Sequence, residues 1–280
     1  MTASRPISQH PEPFFVIGAI SQYMGAAVAV GLFDDLDPAT VALVRVAAAA
    51  GIIVVIRRSW RRSWTREELA WTAAFGVALA SMNLSIYFAI DELPLGNAVA
   101  IEFTGPIAVA ALGSRTVRSL GALLLAALGV VVLAGVEADG TLRGVLFALL
   151  AGAFWAGYIV LGHRVAQRGM AVDGLGVGML IGALAIAPLG ADGLGPAIEQ
   201  PTLLLIAVTT GLLSNVIPYG IDQVVMRHIT RARFAFLQAL LPVTATVVGL
   251  ISLSQVPSLR ESVGIGLVIV AILARGSVDR

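Results

Sequence analysis

The sequence of 280 residues contains no cysteine and no lysine, and only 12% of its residues are charged. The absence of cysteine excludes disulfides, thiol nucleophiles and cysteine-bound metal sites. All eighteen basic residues are therefore Arg, and the formal net charge of +1 gives no polybasic signature of a nucleic-acid-binding protein. The three histidines lie outside the apolar segments. We expect no enzyme activity, no cofactor, no metal site and no nucleic-acid partner.

Hydrophobic residues, in contrast, make up 58% of the chain, more apolar surface than a soluble domain of this size can bury. The chain divides into apolar segments, each close to the ~20 residues that cross a ~30 Å hydrocarbon core. There are ten of them, at residues 14–33, 39–56, 69–90, 95–113, 118–136, 144–162, 174–191, 202–221, 233–253 and 262–275. The sequence predicts an all-α integral membrane protein with ten transmembrane helices and the lipid bilayer as its solvent.

The arginines predict how these helices are oriented. With the N-terminus inside, fifteen of the eighteen lie in cytoplasmic segments, Arg143 and Arg260 lie in outer loops, and Arg45 lies within a span. This distribution obeys the positive-inside rule. We expect a multi-pass protein of the cell (inner) membrane with both termini cytoplasmic, residues 1–13 and 276–280 forming short cytoplasmic tails.

The two halves of the chain repeat each other weakly. Residues 101–106 align with residues 237–242 at an offset of 136 residues, and the offset is nearly constant across five spans. Duplication of a unit with five spans inverts its topology, which is the architecture of many secondary transporters. We therefore expect two inverted five-helix repeats at residues 14–136 and 144–275.

Glu102 is a carboxylate inside the fourth apolar segment, where an acidic residue costs roughly 2.5–3.5 kcal/mol at a helix centre. Pro106 follows four residues later and removes the hydrogen bond to the Glu102 carbonyl. In the second half, Pro242 has the same relation to Gln238. Each repeat is thus expected to contain a kinked helix that lines a cavity with a polar side chain.

Two further spans carry polar residues at the depth of Glu102. Arg45, Asn83 and Glu102 each lie roughly 9–10 Å from the outer boundary, at 1.5 Å per residue. Tyr87 shares a helix face with Asn83, since it lies four residues further on. Two interpretations are open: an Arg45–Glu102 ion pair that only holds helices together, or ionisable groups that meet a substrate or a coupling proton.

The second half has a corresponding polar group. Asn215 and Tyr219 share one face of the eighth segment, and inversion places them with Gln238 in the inner half of the membrane. We expect two polar layers, one on each side of the midplane.

Aromatic residues in the middle of spans have two possible explanations. Trp155 and Tyr158 lie too deep for an interfacial aromatic belt. They are either packing residues or cavity walls that offer a π face to an ammonium group. The same alternatives apply to Gln22 and Tyr23 in the first segment.

The residues from Pro94 to Pro106, above all the string Glu102-Phe-Thr-Gly-Pro106, resemble the fourth span of the EamA-type drug/metabolite transporters, most of all bacterial threonine/homoserine exporters. Further matches are Arg45, Met82-Asn83, Tyr87, Gly152-Ala153 with Trp155, and Pro218-Tyr219. The resemblance covers essentially the whole chain. It implies a ten-span carrier with a central cavity that exports small amino acids or related metabolites by proton exchange.

Two positions depart from that family pattern. Where such exporters usually carry Glu-Pro in the ninth span, this chain has Leu241-Pro242, and where they carry Gly-Glu at that span's end it has Ser254-Gln255. Glu102 is therefore left as the carboxylate deep in the membrane. Asp222, at the end of the eighth segment, is placed to substitute in part for the two acidic residues that this chain lacks.

These observations predict a secondary active exporter of threonine/homoserine-like amino acids or related metabolites, with the proton as coupling ion. Arg45 would attract a carboxylate or position Glu102, and Glu102 would bind an ammonium group or exchange a proton. The remaining candidates line the path: Asn83, Tyr87, Trp155, Tyr158, Asn215, Tyr219 and Gln238. The alternatives are an exporter of larger amphipathic or aromatic compounds and a non-transporting membrane scaffold.

Overall fold

The computed structural model describes residues 12–113, 116–134, 142–226, 238 and 240–276, and this part of the chain is built from helices and short loops without strands. The helices are α1 (Glu12–Val30), α2 (Pro38–Arg57), α3 (Arg66–Ile90), α4 (Leu95–Glu102), α5 (Thr104–Gly113), α6 (Val117–Ala134), α7 (Leu142–Gln167), α8 (Ala171–Gly190), α9 (Leu194–Glu199), α10 (Pro201–Gly211), α11 (Ile217–Met226), α12 (Leu240–Leu253) and α13 (Leu259–Gly276). The prediction of an all-helical protein is confirmed.

Among the described residues, six helices are long and apolar enough to cross a bilayer: Pro13–Val30 of α1, then α2, α3, α7, α8, and the continuous stretch Pro201–Met226. Shorter apolar helices occur at Leu95–Val109, Leu120–Gly129 and Leu241–Leu253. Each predicted segment contains helix, but the number of ten spans stays a prediction. Most of the predicted tail at residues 1–13, and the arginines at 227, 231 and 233, lie outside the described residues.

Two of the helical segments are interrupted, and a proline follows each interruption. The fourth segment breaks at Phe103 into α4 and α5, three residues before Pro106. The eighth segment opens into a π-helical turn, Leu212–Val216, immediately before Pro218 in α11. Because proline lacks an N–H, it leaves the carbonyl four residues earlier without its helical bond, and the chain widens or bends there. The interruption of the fourth segment lies close to Pro106, and the kinks expected at Pro106 and Pro242 stay predictions.

Helix packing follows a pattern that recurs between the two halves. α3 packs on α7 and α8, while the α10–α11 segment packs on α1 and α2. In the same way, α4 and α5 lie against α7, and α12 lies against α1. The two remaining large contacts, between α2 and α8 and between α6 and α13, join equivalent helices of the two halves.

The loops predicted to be cytoplasmic meet at one end of the helices. Arg57, at the end of α2, pairs with Asp173 in the first turn of α8 at 3.1 Å. Arg168, just after α7, pairs with Glu67 at the start of α3, and its hydrogen bond holds the pKa of that carboxyl below its usual range. Exposed pairs of this kind contribute little stability, about 1 kcal/mol or less. They show, however, that these loops lie at the same end of the helices.

The loops predicted to lie outside meet at the other end. The backbone N–H of Leu95 donates to Gln255 Oε1 at 3.0 Å, and Asn97 Nδ2 donates to Glu261 Oε1. The Glu261 carboxylate also accepts the backbone N–H of Ser258, which caps α13. The start of α4, the helix that ends at Glu102, is thereby tied to the α12–α13 connection.

Candidate functional site: a polar cavity among seven helices

A cavity with polar and apolar walls lies among α1, α2, α3, α4, α7, α11 and α12. Its apolar walls include Ile86, Val99 and Leu241. Six predicted site residues line it: Arg45, Asn83, Tyr87, Glu102, Trp155 and Tyr219. The sequence therefore located most of this cavity's polar lining from residues that are far apart in the chain.

The other three candidates are buried near this cavity or elsewhere in the fold, without lining it. Asn215 accepts a hydrogen bond from Arg45, and the Tyr158 hydroxyl donates to Asp222 Oδ2 at 3.5 Å. Gln238 is 1% exposed, and no described residue forms a hydrogen bond with its Oε1. Tyr158 and Asn215 thus support groups on the cavity wall, whereas Gln238 is not placed on that wall.

Arg45 is a buried guanidinium that is only partly satisfied. Its Nη2 donates to Asn215 Oδ1 at 2.7 Å, and its Cζ lies 4.2 Å from the centre of the Tyr87 ring. Its Nε and Nη1 are buried and have no hydrogen-bond partner among the residues that the structure describes. No ion pair within 4 Å joins it to Glu102 among the described residues, so the interpretation as a structural pair does not hold in this structure.

Glu102 is the last residue of α4 and is 6% exposed. No hydrogen bond or ion pair in the described part of the chain engages its carboxylate, which faces the same cavity as Arg45. Its position follows from Pro106, because the helix cannot continue its bonding past the Glu102 carbonyl. A carboxylate buried without a partner is costly and requires a proton or a cation to compensate.

The freed Glu102 carbonyl packs against Gly152 of α7. A Cβ atom at Gly152 would come within 2.6 Å of this oxygen and 3.3 Å of the Gly105 backbone nitrogen. Conversely, a Cβ at Gly105 would overlap the Gly152 carbonyl. Small residues at this crossing allow the two backbones to approach closely. This contact fixes the position of Glu102 along the axis of α7.

We expect Gly152→Ala to lower the free energy of unfolding by about 2 kcal/mol, since both neighbouring atoms are backbone and cannot move aside. Gly157→Ala, on the same helix, is the matched control, because its Cβ would meet only Ala78 at an ordinary 3.5 Å. Thermal unfolding of the purified proteins in detergent measures the difference. Equal stability of the two variants would show that the crossing at Gly152 is not tight.

The predicted separation into two polar layers is wrong. Arg45 bonds directly to Asn215, and Asn83 Nδ2 donates to the Tyr219 hydroxyl at 3.3 Å. Residues assigned to opposite halves of the membrane are therefore within hydrogen-bond reach. The physical reason is the π-helical turn, which packs directly against α2 and carries Asn215. The polar groups form one continuous cluster.

The aromatic candidates have different surroundings. Trp155 lines the cavity, with its ring edge-on to Phe103 at 4.8 Å between centroids. Tyr158 is 1% exposed and packs between Phe75, at 5.4 Å, and Tyr219, at 5.6 Å. Trp155 is thus a cavity wall, while Tyr158 combines packing with its hydrogen bond to Asp222.

Three polar residues outside the predicted set also line the cavity, namely Gln22 and Tyr23 of α1 and Asp222 of α11. Gln22 and Tyr23 stood out in the sequence as polar residues within an apolar segment. Asp222 lies at a predicted segment boundary, where an acidic residue is common, and the sequence indicated it only as a partial substitute for the acidic residues missing from the second half.

Residues 142–274 match the model of the EamA-like transporter family. Over 265 residues the chain is 32% identical to the threonine/homoserine exporter RhtA of Escherichia coli strain K12, an alignment that covers 93% of this chain and 89% of the exporter. The chain belongs to the EamA-like transporter family. RhtA of Salmonella typhimurium strain LT2 is also 32% identical, over 244 residues that cover 86% of this chain and 82% of that exporter.

The fold of this EamA-like transporter also occurs in a solved crystal structure. The two chains superpose with a TM-score of 0.62 and 19% sequence identity, over 94% of this chain and 96% of the other. Members of the family similar to RhtA are membrane exporters and not enzymes. Together with its apolar helices, this establishes a multi-pass membrane transporter. Its cavity draws Arg45 and Glu102 from the first half of the chain and Trp155 and Tyr219 from the second.

Proposed function

We propose that this transporter exports small zwitterionic amino acids of the threonine/homoserine class in exchange for protons. One observation carries the proposal: a single cavity contains the guanidinium of Arg45, two of whose nitrogens are buried and unsatisfied, and the carboxylate of Glu102, which has no hydrogen bond or ion pair in the described part of the chain. A molecule with one carboxylate and one ammonium group satisfies both. The substrate class agrees with the name of the exporters that are 32% identical over most of the chain.

The Arg45 side of the cavity is suited to a carboxylate. Three buried polar atoms of residues that line this side have no hydrogen-bond partner among the described residues: Arg45 Nε and Nη1, and Tyr87 Oη. Each of these atoms can donate a hydrogen bond, and a carboxylate accepts several at once. Leaving a buried donor unpaired costs about 1–3 kcal/mol, so a bound anion would recover a large part of that free energy.

The Glu102 side is suited to an ammonium group. Its carboxylate supplies the charge, and the rings of Trp155 and Tyr219 on the same cavity offer π faces to a cation. When the ammonium group leaves, the buried carboxylate again requires a compensating positive charge, which a proton can supply. Release of substrate and uptake of a proton are thereby linked at one residue, and this linkage is the basis of exchange.

The architecture we propose is ten spans arranged as two inverted repeats, with both termini cytoplasmic. The recurrence of helix contacts between the two halves supports the duplication. The meeting of Arg57 and Arg168 with partners at one shared end supports the assignment of that end to the cytoplasm. The two repeats would contribute the two sides of the cavity, as inverted-repeat transporters do.

Purified protein in liposomes tests the proposal. With labelled homoserine outside and an imposed pH gradient, we expect accumulation that a protonophore collapses and that empty liposomes do not show. Flux that is independent of the gradient would refute proton exchange. If aromatic or amphipathic compounds are moved and homoserine is not, the substrate class is wrong, and absence of all flux would favour a scaffold.

A further inference from the structure

The charges on the cavity wall do not balance for a zwitterionic substrate. Among the described residues that line the cavity, Arg45 is the cation, while Glu102 and Asp222 are both carboxylates. If Arg45 receives the carboxylate of an amino acid and Glu102 receives its ammonium group, Asp222 is left without a counter-charge. No ion pair within 4 Å supplies one in the described part of the chain.

We propose that Asp222 forms a second cation-binding subsite with Tyr158 and Tyr23, so that the transporter also carries amino acids with an additional ammonium group on a short side chain. The chemical class is that of the diamino monocarboxylic acids. The inference rests on the proposed function in one respect, because Arg45 and Glu102 are taken to orient the α-carboxylate and the α-ammonium group.

The surroundings of Asp222 leave capacity for such a ligand. Its Oδ2 accepts one long hydrogen bond, 3.5 Å from the Tyr158 hydroxyl, and the residue is only partly buried where it meets the cavity. An ionised carboxylate offers about four acceptor positions. Tyr158 itself is held between the rings of Phe75 and Tyr219, so this hydrogen-bond donor is fixed and orients the carboxylate.

Tyr23 provides the independent observation. It reaches the same cavity from α1 and is 3% exposed, and its hydroxyl has no hydrogen-bond partner within the described part of the chain. A tyrosine hydroxyl can accept a hydrogen bond from an ammonium group while a carboxylate compensates its charge. Tyr219 lies one helical turn before Asp222, and its ring adds a π face to this part of the cavity wall. The subsite is therefore rich in acceptors, and none of the described residues that form it is a cation.

Charge balance favours a substrate with a net positive charge over a zwitterionic substrate with no net charge. With the three charged side chains among its described lining residues ionised, the cavity wall has one positive and two negative charges. A diamino monocarboxylic acid has two positive charges and one negative charge, so its binding neutralises the site group by group. The alternative is that Asp222 holds only the exchanging proton and never contacts substrate.

Homoserine and 2,4-diaminobutyrate distinguish these alternatives, because they differ only in a terminal hydroxyl and a terminal ammonium group. Liposomes with wild-type protein should take up both labelled compounds. Asp222→Asn should lower the uptake of diaminobutyrate relative to homoserine by about tenfold or more, since hydrogen bonds to charged groups contribute that much to affinity. Asp35→Asn is the matched control, because Asp35 lies exposed in the loop after α1 and should leave the ratio unchanged.

The inference is overturned if wild-type liposomes do not take up diaminobutyrate, or if Asp222→Asn lowers both fluxes equally. The inference is also overturned if Asp222→Asn loses the response to the pH gradient while the ratio of diaminobutyrate to homoserine uptake stays the same. That result would show that Asp222 holds the exchanging proton. Failure of the proposed function has a different signature: no homoserine uptake by wild-type protein, whatever the result for diaminobutyrate. The two labelled fluxes are measured separately, so each claim can fail alone.

Discussion

Glu102→Gln is expected to abolish homoserine accumulation driven by a pH gradient, with a fall in rate of about 100-fold or more. The amide has nearly the same size but carries no charge, so it neither pairs with an ammonium group nor takes up and releases a proton. The loss of a hydrogen bond between charged groups is enough to account for a reduction of this order. Purified variant and wild type are compared in liposomes at matched protein content.

The fold should survive this substitution, which makes the transport result interpretable. The Glu102 carboxylate has no hydrogen bond or ion pair in the described part of the chain, so its replacement breaks no such contact, and a neutral amide is easier to bury than a carboxylate. The thermal unfolding midpoint in detergent should therefore stay the same or rise. Glu199→Gln is the matched control, because it makes the same replacement at an exposed position. Wild-type transport by Glu102→Gln with unchanged pH dependence would refute the role of Glu102.

Part of this site could be predicted from the sequence because its causes are local. Pro106 removes the hydrogen bond to the Glu102 carbonyl and thereby favours the helix break at Phe103. The spacing of Asn83 and Tyr87 by four residues places both on one helix face, and both line the cavity. The length and polarity of the apolar segments likewise predicted where helices form.

The remainder depends on contacts between distant parts of the chain. Arg45 and Glu102 lie at similar predicted depths, which made an ion pair reasonable, but Arg45 bonds to Asn215 instead. That contact requires the π-helical turn at Leu212–Val216, and no propensity in the sequence specifies such a turn; Pro218 indicates only that backbone bonding changes nearby. The same turn joins the two polar layers into one cluster, an outcome that a depth estimate for each helix separately cannot give.

Substitution of Arg45 should change which substrates are accepted as well as how fast they move. Arg45→Gln is expected to lower homoserine transport about 100-fold, because it removes the charge that pairs with the substrate carboxylate. Arg45→Lys should retain part of the activity, with a loss of about tenfold, since Lys keeps the charge but lacks the planar fork that donates two parallel bonds. A purely structural Arg45 would give equal losses in protein yield and transport for both variants.

The decisive readout for Arg45 is 3-aminopropan-1-ol, which is homoserine without its carboxylate. Wild-type protein should strongly prefer homoserine over this compound as a competitor, because Arg45 and Tyr87 together present three buried donor atoms to an anion. In Arg45→Gln the preference should fall by at least tenfold, since the lost interaction is with the carboxylate alone. If the substitution weakens competition by both compounds equally, Arg45 does not bind the carboxylate. The amino acid would then be oriented by Glu102 and the aromatic wall, and the unpaired donors of Arg45 would have to be satisfied by water.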